Sequence, residues 1–200
     1  ITISSVLFLT ISYLIGSVNS SIIFSKLCKS QDPREYGSKN PGATNILRSG
    51  NKVLAFATLI FDMLKGTLPV IFAFYIFKDK SYAQIVGIIA VIGHIFPIFY
   101  KFKGGKGVAT AFGSIIGFDI ILGLICLLTW LITAFLFRYS ALSAIVTFTF
   151  LPLYTWLSYE ILTLTSIYTI LSIVVIYKHK TNIGNLINNT ETKIGKKNKQ

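Results

Sequence analysis

The sequence predicts an all-α polytopic integral membrane protein, and three observations carry that prediction. Only 13% of the 200 residues are charged and the mean hydropathy is +0.69, whereas a soluble domain normally carries about 25% charged residues. The hydrophobic residues stand in long blocks instead of alternating with polar ones, which is typical of membrane-spanning helices. The positive charge lies almost entirely between those blocks.

Seven apolar blocks are candidates for transmembrane helices. A helix rises about 1.5 Å per residue, so about 20 residues cross a hydrocarbon core of about 30 Å. One block, 107–118, is short, and Asp119 divides it from the next, so it is either a short span or half of a continuous one. The blocks run at 2–27, 53–77, 82–100, 107–118, 120–137, 140–157 and 161–177.

The distribution of Lys and Arg predicts the orientation of the chain. Sixteen of the 19 cations lie in four connections: 26–52, 101–106, the turn at Arg138, and the chain from 178 onward. Cytoplasmic loops carry an excess of Lys and Arg, so we place all four in the cytoplasm. This predicts seven transmembrane helices, with the N-terminus outside and the C-terminus cytoplasmic. A five-span arrangement would move Arg138 outside.

One membrane domain is predicted over residues 1–185, followed by a basic polar cytoplasmic tail over residues 186–200. We expect the tail either to move freely or to rest on anionic lipid headgroups. The first block lacks a basic start and a small-residue cleavage site, so we expect a retained span in place of a signal peptide.

Several classes of function are disfavoured by composition and by missing motifs. The net charge of +12 could suggest nucleic acid, but the aromatic residues lie inside apolar blocks and the cations lie between them, so we expect no nucleic-acid partner. Cys28 and Cys126 form no metal-binding or disulfide pattern, and we expect no metal and no cofactor. G-x-S-x-G and H-E-x-x-H are absent, and neither His94 nor His179 has an Asp five positions on.

The first cytoplasmic segment has the composition of an anion-binding loop. Glycine lets the backbone approach a ligand closely, and N–H groups, hydroxyls, amides and an arginine together can bind a phosphate. A Pro/Gly turn whose polar residues cap a helix would have a similar composition, and composition alone does not separate the two. The candidates are Ser38, Asn40, Gly42, Thr44, Asn45 and Arg48.

A second candidate loop contains Gly104, Gly105, Lys106 and Gly107 and leads into an apolar block. The N–H groups and the positive dipole end of a helix starting there would point at the loop. Lys106 would add a point charge. The loop is not a Walker A motif, because Tyr100 replaces the first glycine and Gly107 follows the lysine. The alternative is a flexible basic hairpin at the headgroups, and we favour the anion site.

His179 and Asn182 follow the last apolar block. Alone they indicate an interfacial anchor with a helix-capping Asn. Together with two anion loops on the same membrane face, they become a candidate third wall of one site.

Polar residues inside the spans are read mainly as structural. Asp62 and Lys65 share a helix face at a spacing of three residues, and a lone charge at the membrane centre costs about 2.5–3.5 kcal/mol. We therefore expect an ion pair facing the bundle. His94 is expected to be a packed or capping histidine and not a base.

Seven segments of the chain occur in the order and spacing of a known family. On these segments the chain resembles the bacterial acyl-phosphate:glycerol-3-phosphate acyltransferases, the PlsY family, from about residue 16 to 191. Lys39 departs from the family pattern, which usually has Gly there, and Lys180 and Asn185 replace usual arginines. The segments are Gly16-Ser17 with Lys26; Ser38-x-Asn40-x-Gly42-Ala43-Thr44-Asn45 with Arg48; Asp62-x-x-Lys65-Gly66; Gly93-His94-x-x-Pro97; Gly104-Gly105-Lys106-Gly107-Val108-Ala109-Thr110; Arg138-Tyr139-x-x-Leu142-Ser143; and His179-x-x-Asn182-Ile183 with Thr190-Glu191.

The resemblance implies a multi-pass protein of the bacterial inner membrane, with seven spans and an active site on the cytoplasmic face. It implies transfer of an acyl group from acyl phosphate to the 1-hydroxyl of glycerol 3-phosphate, giving lysophosphatidic acid and phosphate in phospholipid synthesis. The expected partners are acyl phosphate, glycerol 3-phosphate and membrane lipids, with a functional link to an enzyme that forms acyl phosphate.

Because both substrates carry phosphate, we expect the three segments to hold two anions close together. We assign catalytic roles to Lys106, Arg48, Ser38 and His179, and substrate binding to Asn40, Gly42, Thr44, Asn45, Gly104, Gly105, Gly107 and Asn182. The donor phosphate or His179 would accept the hydroxyl proton. The acyl tail would lie in a groove near the first spans. A transporter of an anionic lipid or of phosphate, or a membrane scaffold, remains the alternative.

Overall fold

The computed structural model describes residues 2–195, and within that range the chain is helical, with no strand. A 3₁₀ turn at Ile98–Tyr100 follows the fifth helix and leads to the loop that contains Gly104–Gly107. The helices are α1 (Ile3–Ser17), α2 (Ser20–Leu27), α3 (Ala43–Arg48), α4 (Lys52–Phe77), α5 (Lys80–Ile95), α6 (Val108–Phe118), α7 (Ile120–Phe137), α8 (Ser140–Tyr159), α9 (Leu162–Lys178) and α10 (Lys180–Ile187).

The helices confirm a membrane architecture with four to six candidate spans. Four segments are long and apolar enough to cross a bilayer: Lys52–Phe77, Lys80–Tyr100, Ile120–Phe137 and Ser140–Tyr159. Two bent pairs qualify if each pair is one span: α1 with α2, bent by 45°, and α9 with α10, bent by 58°. Helix α6 is apolar but shorter.

The short block at 107–118 is a helix of its own and not half of a continuous one. Asp119 has an extended backbone between α6 and α7, and its carboxylate accepts the N–H groups of Ile121 (2.7 Å) and Leu122 (2.9 Å). The hydroxyl of Tyr159 also donates to it. The side chain therefore ends one helix and caps the next.

Glycines bring two pairs of helices into backbone contact. A side chain at Gly16 would collide with the backbone of Ala90, which joins α1 to α5. A side chain at Gly66 would collide with Thr110, which joins α4 to α6. Small residues at such crossings let membrane helices pack closely.

A break in the first span accommodates the charges inside the bundle. Helix α1 ends at Ser17, and the freed carbonyl of Val18 accepts a hydrogen bond from Lys65 Nζ at 2.7 Å. Lys65 also pairs with Asp62 at 2.7 Å, and Ser20 donates to the same carboxylate at 2.9 Å. The expected ion pair facing the bundle is confirmed.

The first part of the predicted tail is packed against the bundle. The N–H of Ile194 donates to the carbonyl of Arg138 at 2.6 Å, and the carbonyl of Thr192 accepts from Arg48 at 3.2 Å. The expectation that the tail moves freely is therefore wrong for this stretch, while its contact with headgroups stays a prediction. Lys196, Lys197 and Lys199 lie outside the described residues.

Candidate active site

Two cavities adjoin at the end of the bundle where α3, the loop before α6 and α10 meet. Each has a volume of about 460 Å³. All twelve site residues predicted from the sequence line one cavity or both. The structure thus brings the three candidate segments together. The shared wall consists of Ser38, Asn40, Arg48, Lys106, Asn182 and Glu191.

A chain of polar contacts crosses the shared wall. Lys106 Nζ donates to Asn182 Oδ1 at 2.5 Å, and Asn182 Nδ2 donates to Glu191 Oε2 at 2.9 Å. The other oxygen of Glu191 lies 3.6 Å from Arg48 Nη2. One carboxylate therefore faces two cations, which leaves this wall with a net positive charge suited to an anion.

Lys106 is a charged group in a poorly solvated place. Burial lowers the pKa of its ammonium to about 8. Glu191 works against this shift, while Arg48 and Lys178 add to it by like-charge repulsion. An anion entering the cavity would supply the counter-charge that Lys106 lacks.

His179 lies just past α9 and lines the first cavity. Its Nδ1 lies 2.8 Å from the carbonyl of Val175, and a carbonyl can only accept, so Nδ1 carries the proton. Burial lowers the pKa of this imidazole to about 4, the Val175 contact opposes the shift, and Lys106 reinforces it. The ring is neutral near pH 7, so Nε2 is a hydrogen-bond acceptor.

Asn45 holds the first loop together. Its amide donates to the carbonyls of Pro33 (2.7 Å) and Tyr36 (3.2 Å), and its oxygen accepts the N–H of Ser38 at 3.0 Å. Both amide donors are thus used within the loop. The geometry makes Asn45 the residue that places Ser38, and it leaves Thr44, bonded to Ser140 at 3.3 Å, nearer the open cavity.

One backbone N–H group of the glycine loop is already bonded within the protein. The N–H of Gly105 donates to the carbonyl of His94 at 3.1 Å, so it is not free for an anion. Gly107 has a φ of 84° and begins α6, a conformation that favours glycine. Gly105 therefore lines the second cavity without offering its N–H to an anion, and its assignment to substrate binding stays a prediction.

Apolar side chains line most of the first cavity. They come from α4, α6 and α7, and Phe56 and Leu131 are also exposed on the outer surface of the bundle (65% and 50%). The cavity therefore opens toward the lipid between α4 and α7. We expected an acyl groove near the first spans, and that location stays a prediction; within residues 2–195, α4 lines this cavity but neither α1 nor α2 does. Its apolar lining includes Phe56, Leu59, Met63, Phe112, Leu127, Trp130 and Leu131.

Comparison with known proteins identifies the family. The model of the family described as glycerol-3-phosphate acyltransferase matches residues 6–189. The chain belongs to the glycerol-3-phosphate acyltransferase family. Curated members include one from Francisella tularensis subsp. mediasiatica, 46% identical over 94% of this chain and 92% of its own. Another, from Vibrio campbellii, is 47% identical over 93% of this chain and 91% of its own length.

Two crystal structures of the same integral membrane acyltransferase, PlsY (YgiH), share this fold. Its glycerol 3-phosphate form superposes with a TM-score of 0.91 at 32% identity, and each chain is covered to 96%. Its lysophosphatidic acid form gives 0.89 at 31%, with the same coverage.

Lys39, which departs from the family pattern, keeps the backbone that a glycine would adopt. Its φ is 54°, and its N–H donates to the carbonyl of Tyr36 at 2.9 Å. A left-handed conformation costs a residue with a side chain about 1 kcal/mol more than glycine. The loop thus has the same turn, and the lysine adds a cation at the lining of the second cavity.

Glu191 is a wall residue that our sequence reasoning did not assign to the site of this acyltransferase. It contacts Arg48, Asn182 and Asn185. A signal was present, because Glu191 is the one acidic residue after Lys178 in an otherwise basic segment. A single acid among so many cations indicates a specific partner.

Proposed function

We propose that the chain transfers an acyl group from acyl phosphate to the 1-hydroxyl of glycerol 3-phosphate, releasing phosphate and lysophosphatidic acid. One observation carries the proposal: a polar cavity and an apolar cavity open to lipid share a wall that contains Lys106 and Arg48. Such a site suits a water-soluble phosphate on one side and an acyl chain on the other. The glycerol 3-phosphate and lysophosphatidic acid forms of PlsY support the acceptor and the product.

The reaction we propose is a direct displacement. The acceptor hydroxyl oxygen attacks the acyl carbonyl carbon, the bond from that carbon to the phosphate oxygen breaks, and phosphate leaves. Lys106 and the remaining N–H groups of its loop would hold the acyl phosphate and stabilise the developing charge. Arg48, Ser38, Thr44 and Asn182 would position glycerol 3-phosphate.

The hydroxyl proton passes to an oxygen of the departing phosphate or to His179. The neutral ring and its free Nε2 make His179 able to accept either a proton or a hydrogen bond. The phosphate is already activated for departure, so the protein's main contribution would be to position and neutralise two anions.

In the membrane we propose seven spans, with α6 as the short fourth, the N-terminus outside and the C-terminus in the cytoplasm. The site then lies on the cytoplasmic face of the bacterial inner membrane, on the same side as the basic connections. There it would use acyl phosphate that another enzyme forms.

The decisive assay uses purified protein in lipid, given acyl phosphate and labelled glycerol 3-phosphate. We expect phosphate release that depends on glycerol 3-phosphate and matches labelled lysophosphatidic acid in amount. Acyl-CoA in place of acyl phosphate should give no product. Phosphate or lipid movement across the membrane without acyl transfer would instead favour the transporter alternative.

Lys106→Ala and Arg48→Ala should each lower kcat/KM by about 100-fold or more, since each removes a charge from a poorly solvated anion site. Lys103→Ala is the matched control, because Lys103 is exposed and lines neither cavity. Near wild-type turnover in both site variants would refute the assignment of the shared wall.

A further inference from the structure

The loop that carries Lys106 rests on the end of α5. The N–H of Gly105 donates to the carbonyl of His94 at 3.1 Å. A side chain at Gly104 would meet that same carbonyl and the ring of Pro97. The loop is therefore pressed against the last turn of α5, with no room for a side chain between them.

The imidazole of His94 is the surface under Gly105. A Cβ added at Gly105 would collide with His94 Nε2 and lie 3.0 Å from both neighbouring ring carbons. The side chain of His94 is buried, 4% exposed, and it lines the first cavity. The ring thus touches the residue immediately before Lys106.

The other edge of the ring faces a fixed group. His94 Nδ1 lies 3.7 Å from Asp62 Oδ1 and has no hydrogen-bond partner among residues 2–195. Asp62 is held in turn by Lys65 (2.7 Å) and Ser20 (2.9 Å). Because this cluster is buried within the bundle, the ring is confined between a rigid acidic group and the glycine loop.

We propose that His94 is a positioning residue for the reaction: its ring supports the turn at Gly104–Gly105 and so determines where Lys106 stands. The inference rests on the function proposed above and deepens it. A displacement of about 1 Å in a catalytic group can cost about 100-fold in rate, so the support under Lys106 matters as much as its charge.

The test is a double-mutant cycle between the ring and the loop. Gly105→Ala adds a methyl group that collides with Nε2, and it should lower kcat/KM at least about 10-fold. His94→Asn keeps an amide nitrogen toward Asp62 but removes the part of the ring that meets Gly105. In the variant carrying both changes, the methyl group enters the vacated space, and we expect at least about fivefold recovery over Gly105→Ala.

Gly104→Ala provides the matched control. Its methyl group would meet the backbone carbonyl of His94 and Pro97, and His94→Asn changes neither. The same asparagine should therefore give no recovery in the Gly104→Ala background. Recovery at both glycines would indicate general loosening of the loop and would overturn the proposal.

The recovery should fall on one kinetic constant. Lys106→Arg keeps the positive charge but moves it, so it shows which substrate's KM depends on the position of this cation. In the double variant, the recovery should appear in the KM of that same substrate. Additive losses, or a Gly105→Ala variant as active as the wild type, would also overturn the proposal. If His94→Asn fails to fold, judged by its unfolding midpoint in detergent, His94→Ala takes its place.

Failure of the proposed function would be visible separately. A wild-type protein inactive with acyl phosphate refutes that donor before any variant is compared. The cycle is then measured by binding of labelled glycerol 3-phosphate to the same set of purified proteins, with recovery of affinity expected in the double variant alone.

Discussion

The surroundings of Lys106 favour the neutral form of its side chain. Burial and two neighbouring cations lower the pKa of the ammonium to about 8, with only Glu191 opposing them. The free protein therefore begins to lose this charge just above neutral pH, while the substrate phosphates, with a second pKa near about 6, stay doubly charged.

This predicts a pH dependence with a definite sign. Below pH 8 Lys106 is protonated and can bind phosphate, and as pH rises through about 8 the protonated fraction and kcat/KM should fall together. Lys106→Arg, whose guanidinium stays charged, should have lower activity but no such fall. Measuring kcat/KM from pH 6.5 to 9.5 for both proteins tests this, and identical alkaline limbs would contradict it.

The residues of the site could be predicted where the local composition of a loop is unusual for a membrane protein. Lys106, Arg48 and His179 are unusual for plain membrane loops, and the structure brings them together. The separate uses of Asn45 and Gly105 were not predictable, because they depend on the carbonyls of Tyr36 and His94. Only the folded backbone shows which polar groups are already bonded.

At the scale of helices, the apolar blocks correspond to helices in the structure, but the sequence analysis predicted only some of the breaks between helices. The division at Asp119 carries a capping residue, and the sequence indicated it. The break at Val18 is also followed by a capping residue, since Asn19 Oδ1 accepts the N–H of Ile22 at 3.2 Å, but we had treated the first block as one uninterrupted helix and did not predict this break. It is stable because Lys65, 47 positions away, donates to the freed carbonyl, and long-range partners of this kind do not show in local periodicity.

The cavity between α4 and α7 leads to a prediction about acyl-chain length. Trp130 lines this cavity, so Trp130→Ala should enlarge it and favour longer acyl phosphates. A buried methylene group is worth about 0.8 kcal/mol, so we expect about a fourfold gain in relative kcat/KM for each added methylene that fits.

Trp156→Ala is the control, since that tryptophan is 44% exposed on α8 and does not line the cavity. The measurement is kcat/KM across a series of acyl phosphates of increasing length. An unchanged length profile in Trp130→Ala would place the acyl chain elsewhere.

For the whole molecule, the proposed topology can be tested through its cysteines. Cys28 is exposed and Cys126 is buried. A membrane-impermeant maleimide should label Cys28 only after the cells are permeabilised. In a Cys28→Ser background, Ile120→Cys should be labelled in intact cells, because seven spans place the turn between α6 and α7 outside. Labelling of both from the same side would show that α6 does not cross.

The two kinds of helix contact have a consequence for how material moves through the protein. Where glycines join α1 to α5 and α4 to α6, backbones touch, whereas the apolar cavity beside α7 is open between exposed side chains. Moving a long-chain lysolipid into water would cost about 0.8 kcal/mol per methylene group, so the product would not leave through the aqueous side. Glycerol 3-phosphate would arrive from the aqueous side, and the finished lipid would depart sideways, directly into the leaflet that receives it.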